Sequence, residues 1–201
     1  MQSNPYNSYA LQTDSWLKGR LDLGQDYPWL ELAIYQGKYF VSFPPFPSYV
    51  LIPFVMIFGT NTPDHLIALL VTIAGCVYAI KLYREVSLEK QHALFWVLML
   101  YFASGYLFVG MNGYVWFIAQ SMSFTLSLMA LYYALRQKGG LSLAFWACAV
   151  GCRPMLALYG ILLGYLLVKG YKKENPLPTV GPTAWMTVVL VKSGIGNRNM
   201  I

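Results

Sequence analysis

Charge is what this chain has least of. Asp, Glu, Lys and Arg make up 11% of its 201 residues, against roughly 25% in a soluble domain. None of the four occurs in residues 39–63, 65–80, 91–135, 139–152 or 154–168. Apolar runs so free of charge are membrane-span candidates once they reach about 18–20 residues. With 57% apolar residues, the composition is a membrane protein's, and an ordinary soluble domain is a poor description of it.

Other absences narrow the chemistry. There are three cysteines, Cys76, Cys148 and Cys152, all in apolar segments. An odd number of buried thiols argues against a disulfide framework. Cys148 and Cys152 share a helix face with no His or carboxylate beside them, so they read as small core residues. His65 and His92 each begin an apolar helix, far apart in the chain. No zinc spacing, Ser-His-Asp arrangement, Walker loop or Rossmann glycine pattern is visible. No basic region leads into an apolar run at the start, so no signal peptide is apparent. Repeats and low-complexity tracts are lacking too. The net charge of +6 does not indicate a nucleic-acid partner. The basic residues cluster where apolar runs end, which is the positive-inside pattern.

What is present starts with residues 26–53. This stretch opens acidic, passes a Gly37-Lys38 turn, meets Pro44, Pro45 and Pro47, and ends fully apolar. Proline fixes φ and removes a donor, so residues 43–47 are neither ordinary helix nor central strand. They form a stiff aromatic lip where a loop meets a membrane.

The expected architecture is all-α: a polytopic transmembrane helix bundle with an external N-terminal loop. Residues 1–44 form that loop, with a short helix ending near Gly19. Residues 45–60 form a juxtamembrane helix lying in the interface. Residues 64–170 form a bundle of about five helices, at 66–82, 92–109, 114–135, 141–152 and 155–168. Residues 171–201 form a cytoplasmic or truncated tail. Placing the basic clusters around Lys81, Arg136 and Lys169 in the cytoplasm puts residues 1–47, the 110–113 turn and Arg153 outside. A polar tail outside with no preceding span suggests a fragment that lacks an upstream span and a downstream portion.

Candidate chemistry gathers on that outer face. Four of the eight acids lie in the loop: Asp14, Asp22, Asp26 and Glu31. Glycosyl transfer needs one carboxylate to take the acceptor's proton, and a second can hold a divalent metal or the sugar. The bland alternative for each is a solvated loop acid, and Asp22 reads as a plain turn residue. Arg153 stands alone between two uncharged runs. It meets a lipid phosphate, which suits its guanidinium fork, snorkels to the headgroups, or pairs with one of the loop acids. Lys38 would lie at headgroup level, binding phosphate or anchoring the interface. Tyr35, Tyr39, Phe40, Phe43 and Phe46 read first as an aromatic belt.

At the level of organisation, residues 6–170 resemble the C-type glycosyltransferase superfamily, membrane enzymes that use polyprenyl-phosphate-linked sugars. Protein O-mannosyltransferases and lipid A aminoarabinose transferases belong to it. YALQTDSWLKGRLDL is similar to its first external-loop helix. GKYFVSFPPFPSYVLIPFVMIFG is similar to its juxtamembrane segment, and AVGCRPMLAL to its helical hairpin with a basic outer turn. The resemblance implies an integral multi-pass protein of a bacterial cytoplasmic membrane, with membrane lipid and a polyprenyl-phosphate-linked sugar as partners. It implies Arg153 or Lys38 at the donor phosphate; the base would be Asp14 or a later loop acid, Asp26 or Glu31, or else the activity differs. Further helices of a full-length chain, or of a partner, would complete the bundle. One departure stands out. The superfamily's catalytic Asp comes at the head of the loop helix, where this chain reads SNPYNSYA. A transporter or flippase, and a non-catalytic membrane subunit, are the competing classes; the absence of paired charges and repeats weakens the first.

Overall fold

The computed structural model describes residues 5–87 and 90–170. The described chain is mostly helical. In order it runs α1 (Ser8–Leu17), β1 (Leu32–Tyr35), β2 (Lys38–Val41), α2 (Phe46–Phe58), α3 (Asp64–Val86), α4 (Ala93–Ala103), α5 (Tyr106–Met111), α6 (Val115–Leu135), α7 (Gly139–Cys152) and α8 (Tyr159–Lys169).

Local chemistry explains the polar segment. α1 stops at Gly19, whose φ is +73°. The Gly19 N–H donates to Trp16 O and the Arg20 N–H to Ser15 O, the paired bonds of a Schellman cap. β1 and β2 pair antiparallel, with Tyr35 opposite Lys38 and Leu32 opposite Val41. Gln36 and Gly37 both have positive φ, 50° and 73°, the geometry of a type I′ turn. This hairpin was not expected in an all-α chain. The Gly-Lys turn was visible in the sequence, but its flanks, Leu32–Tyr35 and Lys38–Val41, are too short to show alternation. Pro45 and Pro47 then lead into α2, where a missing N–H is harmless in the first turn.

α1 is clamped onto α2. Thr13 Oγ1 donates to Ser48 O at 2.9 Å, and Ser48 Oγ to Gln12 Oε1 at 2.6 Å. The core beneath holds Tyr9, Leu51, Val55, Ile67, Val115, Ile118 and Met122. α6 is the central post, packed by α3 on one side and by α7 and α8 on the other. Hydroxyls stitch these helices to neighbouring backbone. Thr125 Oγ1 donates to Val71 O at 3.1 Å, Thr72 Oγ1 to Gly110 O at 3.0 Å, and Ser142 Oγ to Ala130 O at 2.9 Å.

α3 and α6 are long and apolar enough to cross a membrane, by length and composition. Two expected spans differ in detail. Residues 92–109 are not one helix but α4 and α5, broken at Gly105, whose φ of +71° no helix accommodates. Residues 155–168 begin as a 3₁₀ turn, Pro154–Leu158, before α8. Residues 171–201 lie outside the described residues.

The described bundle has two unlike ends. α1, the hairpin, the starts of α3 and α6 and the finish of α7 meet at one. At the other, Arg136 Nη1 lies 3.5 Å from Glu85 Oε2, and Gln137 Nε2 donates to Leu166 O at 3.1 Å. Lys81, Arg84, Lys138 and Lys169 fall toward that second end.

Candidate functional site

Trp116, in the first turn of α6, is the meeting point. Its indole Nε1–H donates to Glu31 Oε2 at 3.4 Å, and its backbone carbonyl accepts from Arg153 Nη2 at 2.9 Å. Two residues singled out from the sequence, 122 positions apart (153 minus 31), thus hang on one residue.

Arg153 arrives there because of Pro154. A residue before proline is pushed out of the helical region, and Arg153 is extended, with φ −144° and ψ 104°. Its N–H still closes α7 on Ala149 O at 2.9 Å. The chain then leaves the axis of α7, and the guanidinium is carried across to α6. Its Nε–H is sequestered and finds no acceptor among the described residues. An unmatched buried donor of this kind calls for a functional or hydration account.

Glu31 sits just before β1. Its backbone is fixed by Ser42 Oγ, which donates to Glu31 O at 2.8 Å, while its side chain is exposed. An aromatic wall stands between loop and bundle. Tyr6 packs on Trp116 at 5.4 Å between ring centroids, Phe43 meets Trp116 edge-on at 6.5 Å, and Tyr9 meets Phe43 at 6.3 Å. Phe43 belongs to the proline lip, so part of the expected aromatic belt is packed inward. Tyr9 is 2% exposed and its hydroxyl has no partner among the described residues. Burial pushes the Tyr9 phenol well above its ordinary range; nearby Cys152 adds to this and Arg153 opposes it.

The other candidates lie elsewhere. Asp14 pairs with Lys18 at 2.6 Å, one turn along α1. It borders a polar groove of about 210 Å³ shared with Arg20, Gln25 and Tyr27. Asp26 is exposed in the loop after α1, and Lys38 is exposed beside the hairpin turn. Asp14, Asp26 and Glu31 are not brought together. Among the described residues no group of three or more His, Cys, Asp or Glu could hold a metal.

Sequence reasoning passed over three residues at this end. Trp116 carried a weak signal, as an aromatic three residues past the 110–113 turn. Tyr9 carried none. Asp64, which after Pro63 simply suits a helix start, is 4% exposed in the first turn of α3, where an acid complements the helix dipole. Beside it the Gly113 N–H donates to His65 Nδ1 at 3.1 Å. A Cβ on Gly113 would overlap the backbone of Asp64 and His65.

Compared with family models, curated proteins and solved structures, the chain matches none. The site therefore speaks through its own geometry.

Proposed function

We propose that this chain is an integral membrane protein of glycosyltransferase type, acting on a polyprenyl-phosphate-linked sugar at the outer membrane face. The observation that carries the reading is the convergence of Glu31 and Arg153 on Trp116. Glycosyl transfer with inversion needs a base for the acceptor hydroxyl and a cation for the departing phosphate. In the proposed step the acceptor oxygen bonds to the anomeric carbon as the carbon–oxygen bond to the lipid phosphate breaks. The acceptor proton goes to the Glu31 carboxylate, and the freed phosphate is met by the Arg153 guanidinium. Lys38 serves as an interfacial anchor. The membrane setting is supported by α3 and α6 and by large apolar side chains left exposed around the bundle, among them Leu70, Ile73, Phe102, Ile161 and Val168.

The test is sugar transfer from a polyprenyl-phosphate donor by the full chain in liposomes. Glu31→Gln should lower kcat by about 100-fold or more, while Asp14→Asn and Asp26→Asn stay within about threefold of wild type. Wild-type turnover in Glu31→Gln would sink the assignment of the base.

One observation favours a second reading, a non-catalytic subunit. The Arg153 bond to Trp116 O also clasps α7 to α6, a purely structural use. If Arg153→Lys leaves both donor KM and kcat untouched, that reading gains.

A further inference from the structure

The hairpin has one covered edge and one bare edge. Tyr35 and Lys38 flank the two-residue turn and form the closing hydrogen-bonded pair; by alternation Ala33 and Phe40 form the next. The N–H and C=O groups of Leu32, Ile34, Tyr39 and Val41 therefore point away from the partner strand. On the β2 side, the Leu23 N–H donates to Tyr39 O at 2.9 Å. On the β1 side, nothing among the described residues pairs with Leu32 or Ile34. Proteins usually blunt a bare edge with charge, proline or a bulge. Leu32–Tyr35 carries none of these, and Ala33, Ile34 and Tyr35 are exposed.

We propose that β1 pairs antiparallel with β1 of a second copy of this chain, extending the two hairpins into one four-stranded sheet about a two-fold axis at Ala33. The register is self-complementary. Centred on Ala33, Leu32 of each copy faces Ile34 of the other, and these are the residues whose backbone groups point outward. All the bare groups of β1 on both copies are satisfied at once, and Ala33 faces itself as a non-hydrogen-bonded pair. A slip by one residue sets outward groups against inward ones. A slip by two sets Leu32 or Ile34 against a turn residue. Charge agrees as well. One place before Leu32, Glu31 faces Tyr35 of the other copy, whose neighbour across the hairpin is Lys38. Opposite charges then share one face of the sheet, about 9–10 Å apart at the backbone across two strand spacings, within reach of both side chains. No like charges oppose each other. A foreign extended peptide would satisfy the same backbone groups but not this symmetric match.

The pairing stands independently of the transferase reading. It is tested by disulfide trapping of the full chain in liposomes under mild oxidation. Ala33→Cys brings two thiols together in the closely spaced pair, within disulfide reach. It should give a cross-linked dimer as the main product, at least fivefold above Leu32→Cys or Ile34→Cys, with none from the wild-type chain. Adding Ile34→Pro, which removes an outward N–H and no hairpin bond, should lower the Ala33→Cys dimer at least tenfold. If the proline variant does not fold, the comparison of the three cysteine positions decides alone. Monomeric Ala33→Cys chain, equal cross-linking at the three positions, or pairing of β1 with an added extended peptide in place of its own copy would overturn the proposal.

Discussion

Trp116 holds Glu31 with its side chain and Arg153 with its main chain, and the two bonds respond differently to substitution. Trp116→Phe keeps the ring and the carbonyl but deletes the indole N–H. A net hydrogen bond is worth about 0.5–1.5 kcal/mol, so on the transferase reading kcat for sugar transfer should fall by roughly 2–10-fold with donor KM unchanged. Tyr9 gives a second test. Its hydroxyl is buried without a partner among the described residues, so Tyr9→Phe should leave thermal stability in detergent equal or higher. The pH dependence has a definite sign. Tyr9 resists ionisation when folded and ionises normally when unfolded, at about pH 10. Its neutral form thus favours the fold below that pH, and the advantage is lost as pH rises above about 10. Melting curves between pH 9 and 11 should be flatter for Tyr9→Phe than for wild type. Gly113→Ala would drive a methyl into the Asp64–His65 backbone, costing about 1–3 kcal/mol in a denaturation midpoint measurement. Of these residues, Arg153, Glu31 and the turn holding Gly113 were singled out in the sequence, but not their meeting around Trp116. A lone arginine in an uncharged run announces itself; a tryptophan whose value lies in its carbonyl does not.

At the scale of elements, punctuation was easier to read than continuity. The Gly19 stop of α1, the turn before Lys38 and the break at Arg153-Pro154 follow from local backbone chemistry and are where the sequence put them. The proline lip is shorter than expected: α2 already begins at Phe46, because proline is tolerated in a helix's first turn. The helix boundary inside residues 92–109 was missed. Gly105 sits among uniformly apolar residues, where periodicity has no contrast to report. A Cβ on Gly105 would meet open space, so Gly105→Ala isolates the backbone term. It should lower stability by about 1–2 kcal/mol, measured as a shift in midpoint, without affecting transfer. The hairpin was missed for a different reason: strands of four residues are shorter than the pattern that identifies them.

At the scale of the whole molecule, the two unlike ends are the main result. Charge clusters alone predicted that the loop, the 110–113 turn and Arg153 would share one side, and the fold gathers them at one end of the bundle. On the membrane reading, Ile73, half-exposed on α3, faces lipid. Ile73→Arg should then cost about 2.5–3.5 kcal/mol of insertion, read as loss of chain from the membrane fraction. In water the same exchange would be nearly silent. Cysteines placed at Gln36 and Lys138 should label with a membrane-impermeant maleimide from opposite sides of sealed vesicles. Labelling of both from one side would refute the topology.

The proline that follows Arg153 also separates what the fold guarantees from what selection must maintain. Because the pre-proline backbone and the Trp116 carbonyl position the arginine, any residue at 116 that keeps α6 helical preserves that bond. The hold on Glu31 depends on one indole nitrogen and vanishes with a single codon change. On the transferase reading, a lineage could therefore weaken its hold on the proton acceptor while its cation stays in register, giving a chain that still meets the donor phosphate but turns it over more slowly.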